Sequence, residues 1–187
     1  SVLGSFRQIA VGLGVAFSVD KVIELGRHTL ETADNFNKLS QKVGISVEDL
    51  SNYAHAAELS DVNTQQMQQG MVKLSKAITE TAAGSKEQVA AFNALGISQQ
   101  FVKDNMGNTK VIFDEVAGKM SGFKDGANKA ALAVALFGKA GADMIPMLNM
   151  GKEGLAAAAA EAKVFGLTMS GAAAKSAVTS GRKYPWS

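Results

Sequence analysis

Residues 137–149 read FGKAGADMIPMLN, a short apolar run that contains two glycines and a proline. A proline inside a helix removes one backbone hydrogen bond and clashes with the carbonyl four residues earlier, at a cost of about 3 kcal/mol. Neither penalty arises if Gly138 ends one helix and Asp143 caps the next. Pro146 then lies in the first helical turn, where no donor is missed. We therefore predict a sharp helix–loop–helix corner, not a kinked helix.

Outside this corner, apolar residues recur at helical spacing almost throughout the chain. Met67, Met71, Leu74 and Ile78 are one example, and strand-like alternation occurs nowhere at length. Such spacing places the apolar side chains in one stripe on each helix. The pattern predicts an all-α fold, a multi-helix array of short and medium helices joined by sharp Gly/Pro corners. We expect helices near residues 5–25, 27–42, 47–60, 64–83, 86–95, 109–122, 126–137, 143–150 and 152–165.

Three turns share one sequence pattern: VGIS at 43–46, LGIS at 95–98 and FGLT at 165–168. A glycine after an apolar helix end can adopt the left-handed conformation, and the apolar residue after it can pack back on the last turn. The Ser or Thr can then begin the next helix. The predicted structural corners are therefore Gly44, Gly96, Gly138, Asp143, Pro146 and Gly166.

One polar segment interrupts the helical pattern. Residues 101–110 read FVKDNMGNTK, and its Asp, Asn and Gly residues are suited to tight turns. We expect a small non-helical turn or hairpin there. The whole chain then divides into an apolar N-terminal helix (1–25), a helical domain (26–169), and a short helix followed by a disordered tail (170–187).

The N-terminal part contains the apolar run IAVGLGVAFSV at 9–19, which ends at Asp20 and Lys21. A membrane-spanning helix needs about 20 apolar residues. A signal peptide needs basic residues before the run, and Arg7 is the one charge there. We therefore expect a buried or interfacial helix in this part of the chain.

Composition and motifs argue against most kinds of active site. The net charge of +2 is too small for the basic field that nucleic-acid binding requires, and the lack of cysteine excludes disulfides, thiolate zinc sites and cysteine nucleophiles. His28 and His55 have no partner at metal-ligand spacing, so we expect surface histidines. No nucleophile elbow or P-loop motif is present. We expect a non-enzymatic protein with no catalytic or metal site, no cofactor and no specific nucleic-acid partner.

A row of small residues is the most informative surface feature. Gly126, Ala130, Gly138 and Ala142 follow i, i+4 spacing. Such rows let helix backbones approach closely. The row fits either tight packing within one domain or self-association of helices, and the sequence leaves both interpretations open.

Four longer segments resemble, in order, conserved parts of phage tail tape measure proteins. ADNFNKLSQKVGISVEDLSNYAHAAELSDVN (33–63) carries an acid and Asn-Lys-Leu-Ser before Gly-Ile-Ser. LSKAITETAAGSKEQVAAFNALGIS (74–98) is similar to the family's helix, small linker and Leu-Gly-Ile stop. FVKDNMGNTK (101–110) is similar to its Asp-x-x-Gly turn, and KAALAVALFGKAGADMIPMLNMGKEGL (129–155) to its Phe-Gly and Pro segment. The resemblance covers roughly residues 18–170.

The resemblance implies a mostly helical protein in the lumen of a growing phage tail tube, whose subunits polymerise around it and stop at its end. It implies tail tube and tail assembly proteins as partners, a homo-oligomer, transient membrane contact during genome ejection, and assembly in the bacterial host cytoplasm into the virion tail lumen. Fully helical, 187 residues span roughly 280 Å at about 1.5 Å per residue, which is short for this family. We therefore expect a fragment or a short prophage version.

A membrane-active helical protein, either an ejected channel-forming segment or a toxin, is the alternative. The apolar run at 9–19 and the Ala/Gly-rich helices favour it. Lys129, Lys139 and Asp143 argue against membrane insertion of the small-residue region, because charged side chains are expensive within a bilayer.

Overall fold

A computed structural model describes residues 32–173 and residue 175, and in this part of the chain it contains helices and turns without strands. The predicted all-α fold is therefore confirmed. The expected N-terminal helix at 1–25, the start of the helix at 27–42 and the tail after residue 175 lie outside the described residues. The helices are α1 (32–43), α2 (Val47–Leu59), α3 (Thr64–Ala82), α4 (Lys86–Ala94), α5 (Gln99–Asp104), α6 (Thr109–Ser121), α7 (Ala127–Phe137), a 3-10 helix (Gly138–Met144), α8 (Ile145–Leu148) and α9 (Gly151–Val164). Residues 171–173 are helical as well, where the sequence predicts a short helix after residue 170.

Side-chain caps fix the starts of four helices. Ser46, Asn63, Ser98 and Asn108 precede α2, α3, α5 and α6, and each side chain accepts a hydrogen bond from a backbone N–H two or three residues later. Each cap satisfies one of the N–H groups that a helix start leaves without an internal partner. The local sequence therefore determines where these helices begin.

The non-helical segment expected at 101–110 is shorter than the sequence predicts. Residues 101–104 belong to α5, and the turn is confined to 105–108. Val102 is fully buried, and α5 packs against α3. Burial of this apolar side chain against a neighbouring helix therefore outweighs the turn-forming character of the residues around it.

Helix α3 lies at the centre of the packing. It contacts α2, α4, α5, α6, α7 and the 3-10 helix, while α9 covers α2 and α6. The predicted stripe Met67, Met71, Leu74 and Ile78 is fully buried on α3. Residues from all these helices join one hydrophobic core, so the described part of the chain is held together by a shared interior.

Candidate functional site: the corner at 137–149

The corner is built from three consecutive helical pieces. Gly138, at φ +69°, follows the last residue of α7 and opens the 3-10 helix, and Pro146 lies in the first turn of α8. Asp143, expected to cap α8, lies inside the 3-10 helix and accepts a hydrogen bond from Gln66 Nε2 at 2.8 Å. The residue before α8 is Met144, whose backbone (φ −83°, ψ −8°) is helical and not extended as a capping residue requires. The chain therefore turns through the 3-10 helix without a side-chain cap.

Glycines let the corner approach its neighbours closely. A Cβ at Gly141 would lie 2.1 Å from the carbonyl oxygen of Ala133 in α7, and a Cβ at Gly70 in α3 would lie 2.2 Å from Met144 Sδ. Real Cβ atoms do not reach such distances, so both contacts depend on the missing side chain. The sequence does carry a signal for Gly70, because glycine inside an amphipathic helix costs about 1 kcal/mol and often has a packing reason.

A buried lysine ties the start of α7 to the end of the corner. Lys129 is 2% exposed, and its ammonium group donates to the Phe123 carbonyl at 2.9 Å, to Asp125 Oδ1 at 2.8 Å and to Asn149 Oδ1. Asn149 Nδ2 in turn donates to Asp125 Oδ1 at 3.2 Å. The hydrogen bonds from Lys129 and then Asn149 hold the pKa of Asp125 below its usual range. The buried charge is thus fully hydrogen-bonded, as a charge in a protein interior must be.

The predicted row of small residues does not lie on one helix. Gly126 is the exposed N-cap of α7 and Ala130 is half-buried within it, but Gly138 and Ala142 belong to the 3-10 helix. The positive φ of Gly138 breaks the i, i+4 row at that point. Tight packing within the domain does not explain the exposed Gly126 and Ala142, and self-association through them stays a prediction.

The remaining predicted corners lie at helix ends. Gly44, Gly96 and Gly166 have φ of +72°, +76° and +69°. Gly44 directly follows α1, and Gly96 and Gly166 lie two residues after the last residues of α4 and α9. At the last of these, the Leu167 N–H donates to the Ala162 carbonyl at 2.8 Å. This is the hydrogen bond that a left-handed residue after a helix makes possible.

Tyr53 in α2 forms a buried polar contact with α6. Its hydroxyl donates to Asp114 Oδ1 at 2.6 Å, and Lys110 Nζ donates to Asp114 Oδ2 at 2.5 Å. Its ring meets Phe113 edge-on, with centroids 4.8 Å apart. Burial, reinforced by the charge of Asp114 and the hydrogen bond to it, raises the pKa of Tyr53 far above its ordinary value. The phenol therefore stays protonated at neutral pH and acts as a fixed donor between two helices.

The surface position expected for His55 is wrong, because its side chain is only 10% exposed beneath α9. Its Nε2 lies 3.2 Å from Glu161 Oε1, and its Nδ1 is buried without a partner. His28 lies outside the described residues. Between residues 32 and 175, no three His, Asp or Glu side chains are placed to hold a metal ion.

Two of the shallow depressions on the described surface are lined by charged and amide side chains. One, of about 280 Å³, lies between α1 and α3 and is lined by Lys38, Lys42 and several amides. The other, of about 120 Å³, contains Lys76 and Glu80, which form an i, i+4 ion pair at 3.5 Å on α3. The Lys76 and Glu80 side chains are both substantially exposed, so they form an ordinary surface ion pair that stabilises one helix.

Comparison with known proteins gives no relative: no protein-family model, curated protein or solved structure matches the chain. One stretch of the described residues, Ala127–Leu148, has the length and apolar composition of a membrane-spanning helix. In this fold it comprises α7, the 3-10 helix and α8, and much of it packs against α3. Core helices of soluble proteins have the same properties, so composition alone does not assign a membrane role to it.

Proposed function

We propose that this chain is a structural, non-enzymatic helical segment of a phage tail tape measure protein, located inside the tail tube and involved in tail assembly and length determination. The observation that carries the proposal is the order of the four tape-measure-like segments at 33–63, 74–98, 101–110 and 129–155. Each segment alone shows only residues that commonly begin and end helices. Four such segments in the same order are a more specific signal than any one of them.

The described contacts are compatible with a structural role. Two of the buried polar groups described above join helices to one another: Tyr53 joins α2 to α6, and Lys129 joins α7 to the corner. Neither residue lines either of the two depressions described above. These polar groups thus have structural partners, which supports the non-enzymatic part of the proposal.

Deletion within the phage gene that encodes this chain tests the proposal. An in-frame deletion removes residues 64–121, which would span about 85–90 Å at about 1.5 Å per residue if they formed one continuous helix inside the tube. If the chain sets tail length, phage with the deletion should have tails shorter by up to that length in electron micrographs of purified virions. Replacement of the same residues by an unrelated helical sequence of equal length is the matched control and should restore the length. Unchanged tail length in the deletion would contradict the ruler role.

A membrane-active protein is the second candidate, because Ala127–Leu148 has the composition of a membrane span. The full chain would then release dye from lipid vesicles. Val134 is exposed on α7, so Val134→Lys adds a charge to the span with little effect on the folded core. Leakage that this variant abolishes supports membrane insertion, and absence of leakage by the unmodified chain removes this candidate.

A further inference from the structure

The depression between α1 and α3 is a groove lined by both apolar and basic side chains. It has a volume of about 280 Å³, and Leu39 and Val72 contribute its apolar lining. Val72 is 40% exposed, although it lies on the helix at the centre of the packing. Lys38 and Lys42 line the groove from α1, and amide side chains from both helices complete the lining. The groove therefore suits an apolar side chain that is flanked by carboxylates.

Lys42 supplies the groove with an uncompensated positive charge. Lys38 forms an i, i+4 ion pair with Asp34 at 2.5 Å. Lys42 is exposed, and within the described residues no carboxylate forms an ion pair with it. An acidic group that entered the groove would therefore meet a charge that is still available.

The end of α2 presents a surface of complementary charge. Leu59 is 52% exposed, and it lies between the exposed residues Glu58 and Asp61. Among the described side chains, neither of these two carboxylates has an ion-pair or hydrogen-bond partner. We call Glu58, Leu59 and Asp61 the acidic turn. It offers an apolar side chain flanked by two carboxylates, which is the chemistry that the groove suits.

Asp61 keeps its carboxylate at a position that favours glycine. Its φ is +56°, and it is the one non-glycine residue with a positive φ in the described part of the chain. Gly44, Gly96 and Gly166 have positive φ after three other helices. Glycine adopts this conformation without the steric penalty of a Cβ, so the turn alone does not explain an aspartate.

We propose that two copies of this chain pair through these surfaces, with the acidic turn of each copy docked in the groove of the other. The two surfaces are adjacent, because Asp61 and Gln65, which lines the groove, lie four residues apart and so within about 14 Å of each other. A surface that carries both a projection and its complement can pair with itself around a two-fold axis, and each contact then occurs twice. Leu59 contacts Val72 of the other copy, and the two carboxylates face Lys42.

Charge complementarity and the limited apolar area together determine the strength of the pairing. Each surface offers fewer apolar side chains than the about 800 Å² per partner that a stable complex buries. Exposed ion pairs add little energy, and salt screens them. We therefore expect a reversible dimer whose dissociation constant rises several-fold with added salt. The pairing does not depend on a role in a phage tail, so either proposal can fail without the other.

Sedimentation of the full chain across protein concentration and ionic strength tests the pairing. Lys42→Glu and Glu58→Lys should each weaken dimerisation about tenfold, because each places like charges in both contacts. An equimolar mixture of the two variants should dimerise as the parent does, since each contact of the mixed pair again joins opposite charges. Lys103→Glu, at an exposed lysine on α5, is the matched charge control and should dimerise as the parent does.

Two further substitutions separate docking from folding. Leu59→Ser should weaken the dimer several-fold, whereas Leu167→Ser, at a leucine that is 50% exposed outside both surfaces, should not. Asp61→Gly should weaken the dimer and, in dilute solution, raise the midpoint of thermal unfolding by about 2–4 °C, because glycine adopts the left-handed conformation more readily. An aspartate that served only the fold would not give this combination.

The mixing experiment gives the sharpest test. A parent chain that stays monomeric at up to about 1 mM overturns the proposal, since a weaker contact than this has no bearing on pairing. So does a mixture of the two charge variants that stays as monomeric as either variant alone, or an equal loss for Lys103→Glu. Species larger than a dimer overturn the two-fold arrangement. Circular dichroism should show the parent's helical signal for each variant, because all the replaced side chains are exposed.

Discussion

Two glycine-to-alanine substitutions should change stability in opposite directions. A Cβ at Gly141 would lie 2.1 Å from the carbonyl oxygen of Ala133 and 2.4 Å from its carbonyl carbon. Both are backbone atoms, so no change of rotamer relieves the overlap, and either α7 or the 3-10 helix must move. Overpacking costs about 1–3 kcal/mol, occasionally more. We expect Gly141→Ala to lower the free energy of unfolding by about 3 kcal/mol, at the upper end of this range.

Gly118 in α6 is the matched control. A Cβ there would meet its nearest atom, Lys152 Cβ, at 3.6 Å, which is ordinary van der Waals contact. Alanine favours a helix interior over glycine by about 1 kcal/mol. We therefore expect Gly118→Ala to raise the free energy of unfolding by about 0.5–1 kcal/mol. The two variants should then differ by roughly 4 kcal/mol, although both replace one helical glycine by alanine.

Thermal and urea unfolding followed by circular dichroism measure this difference. A change of 1 kcal/mol shifts the midpoint by about 2–4 °C in a chain of this size, so Gly141→Ala should melt about 6–12 °C lower. Gly70→Ala should lose less, because the clashing atom is Met144 Sδ on a side chain that can rotate. A Gly141→Ala variant within about 0.5 kcal/mol of the parent refutes the idea that a backbone contact closes the corner.

Two polar contacts give further predictions. Lys129→Met leaves Asn149 Oδ1 and the Phe123 carbonyl without their donor and should lower the free energy of unfolding in urea by about 1–3 kcal/mol. Lys139→Met, at an exposed lysine, should change it by no more than about 0.5 kcal/mol. Equal effects would contradict a structural role for the buried ammonium group. Tyr53→Phe removes a hydrogen bond to a carboxylate and should cost about 1.5–3 kcal/mol at pH 7. Because the pKa of Tyr53 is raised in the folded state, its contribution is complete below the unfolded pKa of about 10 and is lost as pH rises above it. The stability difference between parent and variant should therefore shrink above about pH 10, and a constant difference would argue against this coupling.

Helix positions followed from the sequence wherever a local signal and an apolar stripe coincided. The helices expected at 47–60 and 64–83 are Val47–Leu59 and Thr64–Ala82 in the structure. Ser46 and Asn63 cap them through their own side chains. Because a cap acts over three residues and a stripe over one helix, both are visible in a single sequence.

The elements that the sequence missed depend on tertiary contacts. Helix α5 has six residues, too few to show a helical period, and burial of Val102 against α3 holds it. The 3-10 helix forms where Gly141 meets the backbone of Ala133. The contact of Val102 leaves no local signal, because α3 lies elsewhere in the chain. The glycines at 138 and 141 predict a corner, but they do not show that Gly141 meets the backbone of Ala133, eight residues earlier.

The buried polar cluster of Asp125, Lys129 and Asn149 could not be predicted from the sequence for a similar reason. The spacing of Asp125 and Lys129 indicates an i, i+4 ion pair, which is ordinarily a solvated surface feature. In the structure Lys129 is buried, and its ammonium group also donates to Asn149, which lies twenty residues later. A sequence pattern shows the pair but not the third partner that completes its burial.

The glycine corners determine whether the chain can span the tail tube as one continuous helix. Gly44, Gly96, Gly138 and Gly166 have positive φ, so a continuous helix through them would require each to take right-handed values. That change would also separate the core side chains that the corners bring together. The described fold and a fully extended ruler are therefore two different states of the chain. A tail shortened by the full helical rise of the deleted residues means that the corners open inside the tube. A much smaller shortening means that the deleted residues do not contribute a continuous helix to the length of the tube.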